Sequence, residues 1–401
     1  MEQVKELMIK NDLGLNWVCA KIQDFAEVVT GGTPSTTIKE YWDNGNIAWL
    51  NSGELNQDVI IECENFITSK GLENSSARLM PKDTVLIALT GATTGVVGYL
   101  TFEACANQSV TGILPSNKHH PKFLYYYLKS IRNKVLADSY GGAQKHISQG
   151  YVKELQVPLP PLPIQKRIAE ILDAADALKR KDQELLKKYD ALAQAIFIDM
   201  FGDPVKNEKG WVTYSIEEVT SFIDYRGKTP ERSEKNEVPL ITAKNVKFGY
   251  YDFSEKDYVS LDKYNEIMTR GFPKVGDVLF TTEGATLGNV CRIPDLPKFA
   301  IGQRLISMSG DKVTTEYLHY ILCSDFFQDQ VYKYATGSAV KGIRSAVLKK
   351  LIIPVPKYDV QLKFTSAIQA IEKQIKNATR SFENSSNIFS TLLQKAFNGE
   401  L

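Results

Sequence analysis

The chain has 401 residues, of which 43% are hydrophobic and 24% charged, and its formal net charge is +1. This length is too great for one domain, and the near-neutral charge excludes a protein that binds nucleic acid through a uniformly basic surface. No apolar run approaches the roughly 18 residues of a membrane span, and no signal-peptide pattern opens the chain. The five cysteines have no CxxC spacing, which is typical of a reducing compartment. We therefore expect a cytoplasmic protein that does not enter a membrane.

The first half of the chain predicts a globular unit of mixed strands and helices. A TGGTP turn occupies residues 30–34, and two β-runs flank a glycine-rich turn within residues 84–97. A helix with one apolar face is predicted over residues 123–137, and the loop GGAQKHI follows at residues 141–147. We read this order as an α+β domain.

The second half repeats this order. YRGKTP at residues 225–230 takes the place of TGGTP, and β-runs flank a second glycine turn within residues 277–290. A helix is predicted over residues 317–334, and the loop GSAVKGI follows at residues 337–343. Equivalent residues lie 193 to 196 positions apart, as Gly91 and Gly284 do. Because the offset hardly drifts, the sequence predicts an internal pseudo-two-fold repeat of two similar units.

Each unit is followed by a long helix. The stretch PLPPLPIQKRIAEIL at residues 158–172 is matched 196 positions later by PVPKYDVQLKFTSAI at residues 354–368. Prolines suit the first turn of a helix, and each stretch opens an apolar 4–3 spacing that is typical of a coiled-coil seam. The predicted seam positions are Ile164, Ile168, Ile171, Ala175, Leu178, Asp182, Leu185, Tyr189, Leu192 and Ile196, then Phe364, Ile368, Ile371, Ile375, Ala378, Phe382, Ser385, Phe389, Leu392 and Ala396.

The connections set the direction of helix pairing. The first helix enters the second unit after a short linker, and no long return connection exists, so we expect the two helices to pair antiparallel. The alternative is two amphipathic helices that pack separately on the two globular cores. The predicted boundaries are 1–157 and 204–353 for the globular domains, and 158–203 and 354–401 for the helices. The two helices would then both join and separate the domains.

Familiar catalytic patterns are missing from the sequence. It contains no GxGxxG, GxxxxGK[ST], GxSxG or HExxH motif, and the four histidines have no ligand spacing for a metal. We therefore expect no catalytic site, no metal site and no cofactor bound by this chain.

Instead, each unit offers loops that carry small residues, hydroxyls, amides and isolated cations. Amide and guanidinium groups suit base edges, while hydroxyl and ammonium groups suit phosphates. The candidate DNA-binding residues of the first unit are Thr30, Gly31, Gly32, Thr33, Asn107, Gln108, Gln144, Lys145 and His146. Those of the second unit are Arg226, Lys228, Thr229, Lys244, Asn245, Gln303, Arg304, Lys341 and Arg344. The alternative for each of them is a solvated turn.

The chain resembles the DNA-specificity subunits of type I restriction–modification systems. The resemblance rests on TGGTP (30–34), GGAQKHI (141–147), VPLPPLPIQKRIAEIL (157–172) and the terminal LLQKAFNGEL (392–401), and on the repeated order of domain and helix. It covers nearly the whole chain. The second half departs from it, since Gly342 stands opposite His146 and YRGKTP replaces TGGTP.

The resemblance implies that each domain is a target recognition domain that reads one half of a split site in double-stranded DNA. The antiparallel helices then set the spacer between the halves and dock two methyltransferase subunits. Those subunits carry S-adenosylmethionine, and restriction–translocase subunits use ATP and Mg²⁺. Two alternatives remain: a scaffold with two protein-binding domains on a coiled-coil spacer, and an enzyme whose site follows none of the known patterns.

Overall fold

The computed structural model describes residues 8–10, 16–142, 144–225 and 230–401. Contacts divide the chain into two compact units: Met1–Gln183 with Arg380–Leu401, and Glu184–Thr379. Each long helix therefore contributes one part to each unit. This division follows packing rather than chain order, so the four sequence-based boundaries remain predictions.

Before the first long helix, the described part of the first unit contains eleven strands and several short helices. The strands are β1 (Met8–Lys10), β2 (Asn16–Lys21), β3 (Val28–Thr30), β4 (Ile47–Leu50), β5 (Val59–Ile60), β6 (Asn65–Ile67), β7 (Val85–Ala88), β8 (Val97–Leu100), β9 (Cys105–Ala106), β10 (Val110–Ile113) and β11 (Gln156–Leu159). The helices are α1 (Ile22–Phe25), α2 (Ser69–Glu73), α3 (Pro121–Ser130), α4 (Arg132–Asp138), α5 (Gln149–Glu154) and the start of α6 (Leu162–Phe201).

Three sheets organise this unit. The central sheet has the order β3-β10-β7-β8-β5, in which only the β5–β8 pair is parallel. A second sheet has the order β6-β4-β9, and a third has the order β1-β2-β11. The central strands β7 and β10 are buried on both faces and pack against α3, α5 and the start of α6.

The second unit repeats this arrangement. Its strands are β12 (Val212–Ser215), β13 (Thr220–Asp224), β14 (Val238–Ile241), β15 (Asp257–Val259), β16 (Val278–Thr281), β17 (Val290–Arg292), β18 (Ala300–Ile301), β19 (Leu305–Gly310) and β20 (Ile352–Val355). Its helices are α7 (Ile216–Val219), α8 (Leu261–Ile267), α9 (Thr315–Cys323), α10 (Asp325–Tyr334), α11 (Ser345–Leu348) and the start of α12 (Tyr358–Asn398).

The sheet orders of the two units correspond strand by strand. The order β13-β19-β16-β17 matches β3-β10-β7-β8, and β15-β14-β18 matches β6-β4-β9, including the parallel pair at the end of each. The pair β12–β20 matches β2–β11. The prediction of two α+β units with one fold is therefore confirmed.

Each helix predicted before the last loop of a unit is in fact two helices. In the first unit the predicted helix 123–137 is divided at Ile131 between α3 and α4. In the second unit Ser324 adopts an extended conformation and its hydroxyl caps α10, which interrupts the predicted helix 317–334. The sequence-based prediction was wrong here because apolar periodicity continues across both breaks. Only the serine marks a helix start.

The predicted seam is correct for α12 and wrong for the middle of α6. In α12 all ten predicted positions are buried or half-buried. In α6, however, Leu178, Leu185 and Leu192 are 49%, 40% and 46% exposed. Residues outside the predicted seam, among them Leu172, Ala193 and Phe197, are buried instead. Both faces of α6 carry apolar residues, so the sequence pattern did not decide which face is buried.

The long helices pair within each unit, and the direction is antiparallel as predicted. In the first unit the Asp182 carboxylate accepts a hydrogen bond from Ser381 Oγ at 3.2 Å, and Lys179 Nζ lies 4.6 Å from the centre of the Phe389 ring. As the residue numbers in α6 decrease, those of the α12 residues that they contact increase, so the two helices run antiparallel. In the second unit the ring of Phe201, at the end of α6, lies 5.0 Å from that of Phe364 near the start of α12. Within the described residues, no helix is long and apolar enough to cross a membrane.

Candidate nucleic-acid interface

Two of the predicted segments in the first unit meet at one end of the central sheet. Thr30 ends β3 and pairs with Thr111 of β10, where their hydroxyl oxygens lie 3.1 Å apart. Just beyond, Thr33 Oγ1 donates a hydrogen bond to Gln108 Oε1 at 2.5 Å. The TGGTP turn and the Asn107-Gln108 pair are therefore neighbours, although more than 70 residues separate them in sequence.

Gly31 and Gly32 are required by packing rather than by a ligand. A Cβ atom on Gly31 would lie 2.2 Å from the carbonyl oxygen of Ala106, and one on Gly32 would lie 2.3 Å from Ser76 Oγ. Their backbone N–H groups donate to the carbonyl oxygens of Val110 and Ala106. Since both donors are already used, these glycines position the turn and do not bind phosphate through their own amides.

The loop of Gln144, Lys145 and His146 reaches the same end of the sheet. The N–H of Ile147 donates to the carbonyl of Leu89, immediately after β7, at 2.9 Å. The N–H of Gly91 donates to the carbonyl of Lys145 at 3.0 Å. Gln144 and Lys145 are exposed, and the His146 ring packs edge-on against Tyr140.

The second unit makes the same hydrogen bonds at equivalent positions. The N–H of Ile343 donates to Thr282 O at 2.9 Å, and the N–H of Gly284 donates to Lys341 O at 2.9 Å. These bonds match the Ile147–Leu89 and Gly91–Lys145 bonds of the first unit. A third bond also recurs: Leu89 N–H to Ser109 O is matched by Thr282 N–H to Arg304 O. Both units thus hold three predicted segments together by one backbone framework.

Three cations mark this end of the sheet in the second unit. Arg304, Lys341 and Arg344 are all exposed. Arg304 Nε lies 3.3 Å from Glu283 Oε1, with both side chains half-exposed. In such an exposed pair the ionic attraction is weak, so the guanidinium can exchange this carboxylate for a phosphate or a base edge.

The structure places other candidates away from such contacts. Asn245 is only 1% exposed, and its amide is fully used: Oδ1 accepts from Thr242, while Nδ2 donates to the carbonyls of Asp252 and Glu255. It shapes a loop rather than facing a ligand, which differs from the expected base contact. Lys244 is exposed and lies 3.4 Å from the Glu255 carboxylate.

Two further candidates lie in the loops before β10 and β19. Gln303 is half-buried next to Arg304. Asn107 uses its Oδ1 to accept from the N–H of Ser109 at 3.0 Å, which shapes the turn before β10. Arg226, Lys228 and Thr229 lie outside the described residues.

Sequence reasoning missed two aromatic residues near this surface. Phe248 and Tyr250 are 51% and 61% exposed on a turn beside β17. The signal was present as the run FGYYDF at residues 248–253, in which aromatic side chains surround a glycine between two polar stretches. In the part of the chain that the structure describes, no group of three or more histidine, cysteine, aspartate or glutamate side chains could hold a metal ion.

Comparison with known proteins identifies this architecture. The family described as the type I restriction modification DNA specificity domain matches residues 15–188 and again residues 208–381. The chain belongs to this family. Because the two matches together span most of the sequence, the repeat seen in the fold is the repeat of this domain.

Relatives of similar length share the family. The type I restriction enzyme MjaIX specificity subunit of Methanocaldococcus jannaschii is 27% identical, over 96% of this chain and 94% of that protein. The EcoKI specificity subunit of Escherichia coli K12 is 23% identical, over 96% and 89%. The crystal structure of the type I restriction–modification S subunit from M. genitalium shares the fold, with a TM-score of 0.61, 17% identity and 98% coverage of both chains.

Proposed function

We propose that this chain is the sequence-reading subunit of a type I restriction–modification complex and that each unit reads one half of a bipartite DNA target. The observation that supports this most is the framework of loops shared by the two units. In both, backbone hydrogen bonds hold exposed polar side chains at one end of the central sheet, amides and a lysine in the first unit and cations in the second. Rigid loops that present such groups suit direct readout of base edges, flanked by phosphate contacts.

Differences between the units support two different half-sites. At the sheet end the first unit presents Gln108, Gln144 and Lys145, whereas the second presents Arg304, Lys341 and Arg344. Amides pair best with adenine, and guanidinium groups pair best with guanine. The same framework with different side chains would therefore recognise different bases.

We further propose that α6 and α12 set the length of the unread spacer between the half-sites. Helix α6 has 40 residues and α12 has 41. At about 1.5 Å per residue such a helix spans about 60 Å. That length corresponds to roughly 18 base pairs at about 3.4 Å each, which accommodates two short sites with a gap.

The exposed leucines of α6 support docking of partner subunits on this helix. Leu178, Leu185 and Leu192 lie seven residues apart, and each is at least 40% exposed. A heptad row of exposed leucines is the pattern that buries against another helix. We propose that two methyltransferase subunits dock on exposed apolar helix surfaces of this kind. In this proposal the methyltransferase subunits supply S-adenosylmethionine and carry out the methyl transfer. Restriction subunits supply ATP-dependent cleavage with Mg²⁺. This chain itself has no catalytic site and binds no cofactor.

Exchange of one unit tests the assignment of half-sites. Residues 15–157 are replaced by the equivalent part of another specificity subunit, and the methylated motif is determined by sequencing DNA from cells that carry the hybrid complex. The junction is favourable because Gln165 of α6, which stays in place, bonds the backbone N–H of His120 in the exchanged segment, a group that does not depend on the side chain at that position.

We expect one half of the methylated motif to change and the other half to remain. If both halves changed together, the assignment of one unit to one half-site would be wrong. If the complex bound no DNA but retained its protein partners, the scaffold alternative would be correct instead.

A further inference from the structure

The turn that carries Phe248 and Tyr250 is held in place by backbone bonds. Val246 and Tyr251 form a β-bridge, and the N–H of Lys247 donates to the carbonyl of Tyr250 at 3.0 Å. Between the aromatic residues stands Gly249 with a φ of +87°, a conformation that residues with side chains rarely adopt. The turn therefore has a defined shape that presents two neighbouring rings.

Two further bonds anchor this turn to the edge of the central sheet of the second unit. The N–H of Gly249 donates to the carbonyl of Val290 at 2.8 Å, and Asn289 Nδ2 donates to the carbonyl of Val246 at 2.9 Å. Val290 begins β17, and the Asn289 carbonyl accepts from the N–H of Thr281 at the end of β16. The aromatic turn thus lies at the same end of the sheet as Arg304 and Lys341.

The spacing between the rings and these cations fits one DNA half-site. Arg304 precedes β19, and the strand order is β19-β16-β17, so two strand intervals separate it from the turn. Two intervals amount to about 10 Å, which is about three base pairs along a duplex. One half-site of a few base pairs therefore reaches both groups.

Local charge does not explain the exposed rings. Lys247 lies 3.4 Å from the Asp252 carboxylate, and Lys244 lies 3.4 Å from that of Glu255, so the cations next to the turn are balanced. Tyr251, unlike Phe248 and Tyr250, packs against the core beneath the turn. Phe248 and Tyr250 are thus left as apolar groups on a polar surface, which marks a site of contact.

The corresponding stretch of the first unit has a different structure. After β4, which corresponds to β14, the chain forms a 3-10 helix at Ser52–Gln57 with the sequence SGELNQ. Asn51 caps this helix by accepting from the N–H of Gly53 at 2.8 Å. No aromatic residue is present there, so the feature distinguishes one unit from the other.

We propose that Phe248 and Tyr250 contact bases of the DNA half-site read by the second unit and contribute to its sequence selectivity. This inference rests on the proposed function. Two kinds of base contact suit aromatic side chains: apolar contact with the C5-methyl group of thymine in the major groove, and insertion between base steps that unstacks them.

The test uses the full chain assembled with its methyltransferase subunits. The probes are a duplex that carries the motif found methylated in cells and a duplex of scrambled sequence. The double variant Phe248→Ala, Tyr250→Ala is compared with wild type. Tyr358→Ala is the matched control, because Tyr358 is 53% exposed at the start of α12. The next turn of α12 carries Gln361, which binds Thr314 beyond the other end of β19.

We expect the double variant to bind the motif duplex about tenfold to a hundredfold more weakly, since the loss of recognition at one base pair of a specific site costs about 1–3 kcal/mol. Binding to the scrambled duplex and the salt dependence should not change, because no charge is removed. The Tyr358→Ala control should bind both duplexes as wild type does.

Two modified probes distinguish the kinds of contact. Uracil in place of thymine in that half-site weakens wild-type binding, but not that of the double variant, if the thymine methyl group is contacted. A 2-aminopurine base becomes fluorescent on wild-type binding, but not with the double variant, if the rings unstack it. Equal affinity of wild type and double variant for the motif duplex would overturn the inference. If wild type itself did not prefer that duplex to the scrambled one, the proposed function would fail instead.

Discussion

Gln361 Oε1 accepts a hydrogen bond from the backbone N–H of Thr314 at 2.8 Å, and in the other unit Gln165 Oε1 accepts one from His120 at the same distance. The amide nitrogen of each glutamine donates back to a proline carbonyl five residues earlier, Pro356 and Pro160. Both side chains are at least 99% buried. Each glutamine thus joins the start of a long helix to the N-terminus of the helix that covers the central sheet.

Replacing Gln361 by alanine should destabilise the second unit. The variant loses both bonds and leaves a buried N–H and a buried carbonyl without partners, which costs about 2–3 kcal/mol. The measurement is the free energy of unfolding in urea. Gln374→Ala is the control: Gln374 is exposed on the same helix, so its replacement should change that free energy by less than about 0.5 kcal/mol. Equal stability of the two variants would show that the glutamine does not hold the junction.

The repeated glutamine also shows which parts of this molecule the sequence could predict. Features that both halves repeat were recognisable, because the same spacing occurs twice: the two α+β units, the two long helices and the loops at 141–147 and 337–343. The repeat did not indicate which way each side chain points. Leu178 was assigned to the helix seam on spacing alone, whereas α6 has apolar residues on two faces and buries the other one.

The candidate site shows the same limit. Spacing brought Lys145 and Lys341 into correspondence, and the structure gives both the same backbone bond to a glycine. Residue type alone suggested Asn245 as a base contact, but three loop groups already satisfy its amide. An amide in a loop has the same composition whether it faces DNA or the loop itself, so only the surrounding backbone decides its role.

Acidification should weaken the first unit through His119. This ring is 2% exposed beside Phe25, and burial lowers its pKa from the ordinary 6.5 to about 4. The unfolded chain therefore takes up a proton below pH 6.5 that the folded chain does not. The contribution of neutral, buried His119 to the free energy of unfolding is fully present above pH 6.5. It is lost as the pH falls toward 4, at up to about 1 kcal/mol per pH unit.

The measurement is the urea unfolding midpoint of the first unit at several pH values between 7 and 4.5. His119→Gln keeps a polar group near Ser116 Oγ, which lies 2.8 Å from the ring nitrogen, but cannot be protonated. Its stability should fall less steeply with pH than that of wild type. Parallel curves for the two proteins would contradict the assignment of this pH dependence to His119.

Polar replacement of the exposed leucines on α6 should prevent assembly with the methyltransferase. The triple variant Leu178→Ser, Leu185→Ser, Leu192→Ser removes apolar surface that is not part of either core, so the chain itself should fold. We expect the affinity for the methyltransferase subunit to fall at least tenfold, since each leucine buried at an interface contributes about 1 kcal/mol or more. Size-exclusion chromatography and titration of the purified subunits measure this. As a control, Gln183→Ser changes an exposed polar position of the same helix and should leave assembly intact. Unchanged assembly of the triple variant would place the docking surface elsewhere.

The spacer between the half-sites should lengthen when both long helices are lengthened. Seven residues are inserted into both long helices, after Gln183 and after Thr379, where the two units divide. Each unit then keeps its own helix contacts, such as Asp182 with Ser381 and Phe201 with Phe364. A whole heptad keeps the apolar seam in register, whereas five inserted residues would rotate it by about 140°, away from its partner.

One heptad lengthens a helix by about 10 Å, or roughly three base pairs at about 3.4 Å each. We therefore expect the spacer in the methylated motif to lengthen by about three base pairs while both half-sites stay the same. Such an extension also rotates one half-site by about a third of a turn, so methylation should be slower than with wild type. Sequencing of methylated DNA gives the spacer directly, and the five-residue insertion serves as the control that should abolish methylation. A heptad variant that kept the original spacer would show that the partner subunits, rather than these helices, determine the distance.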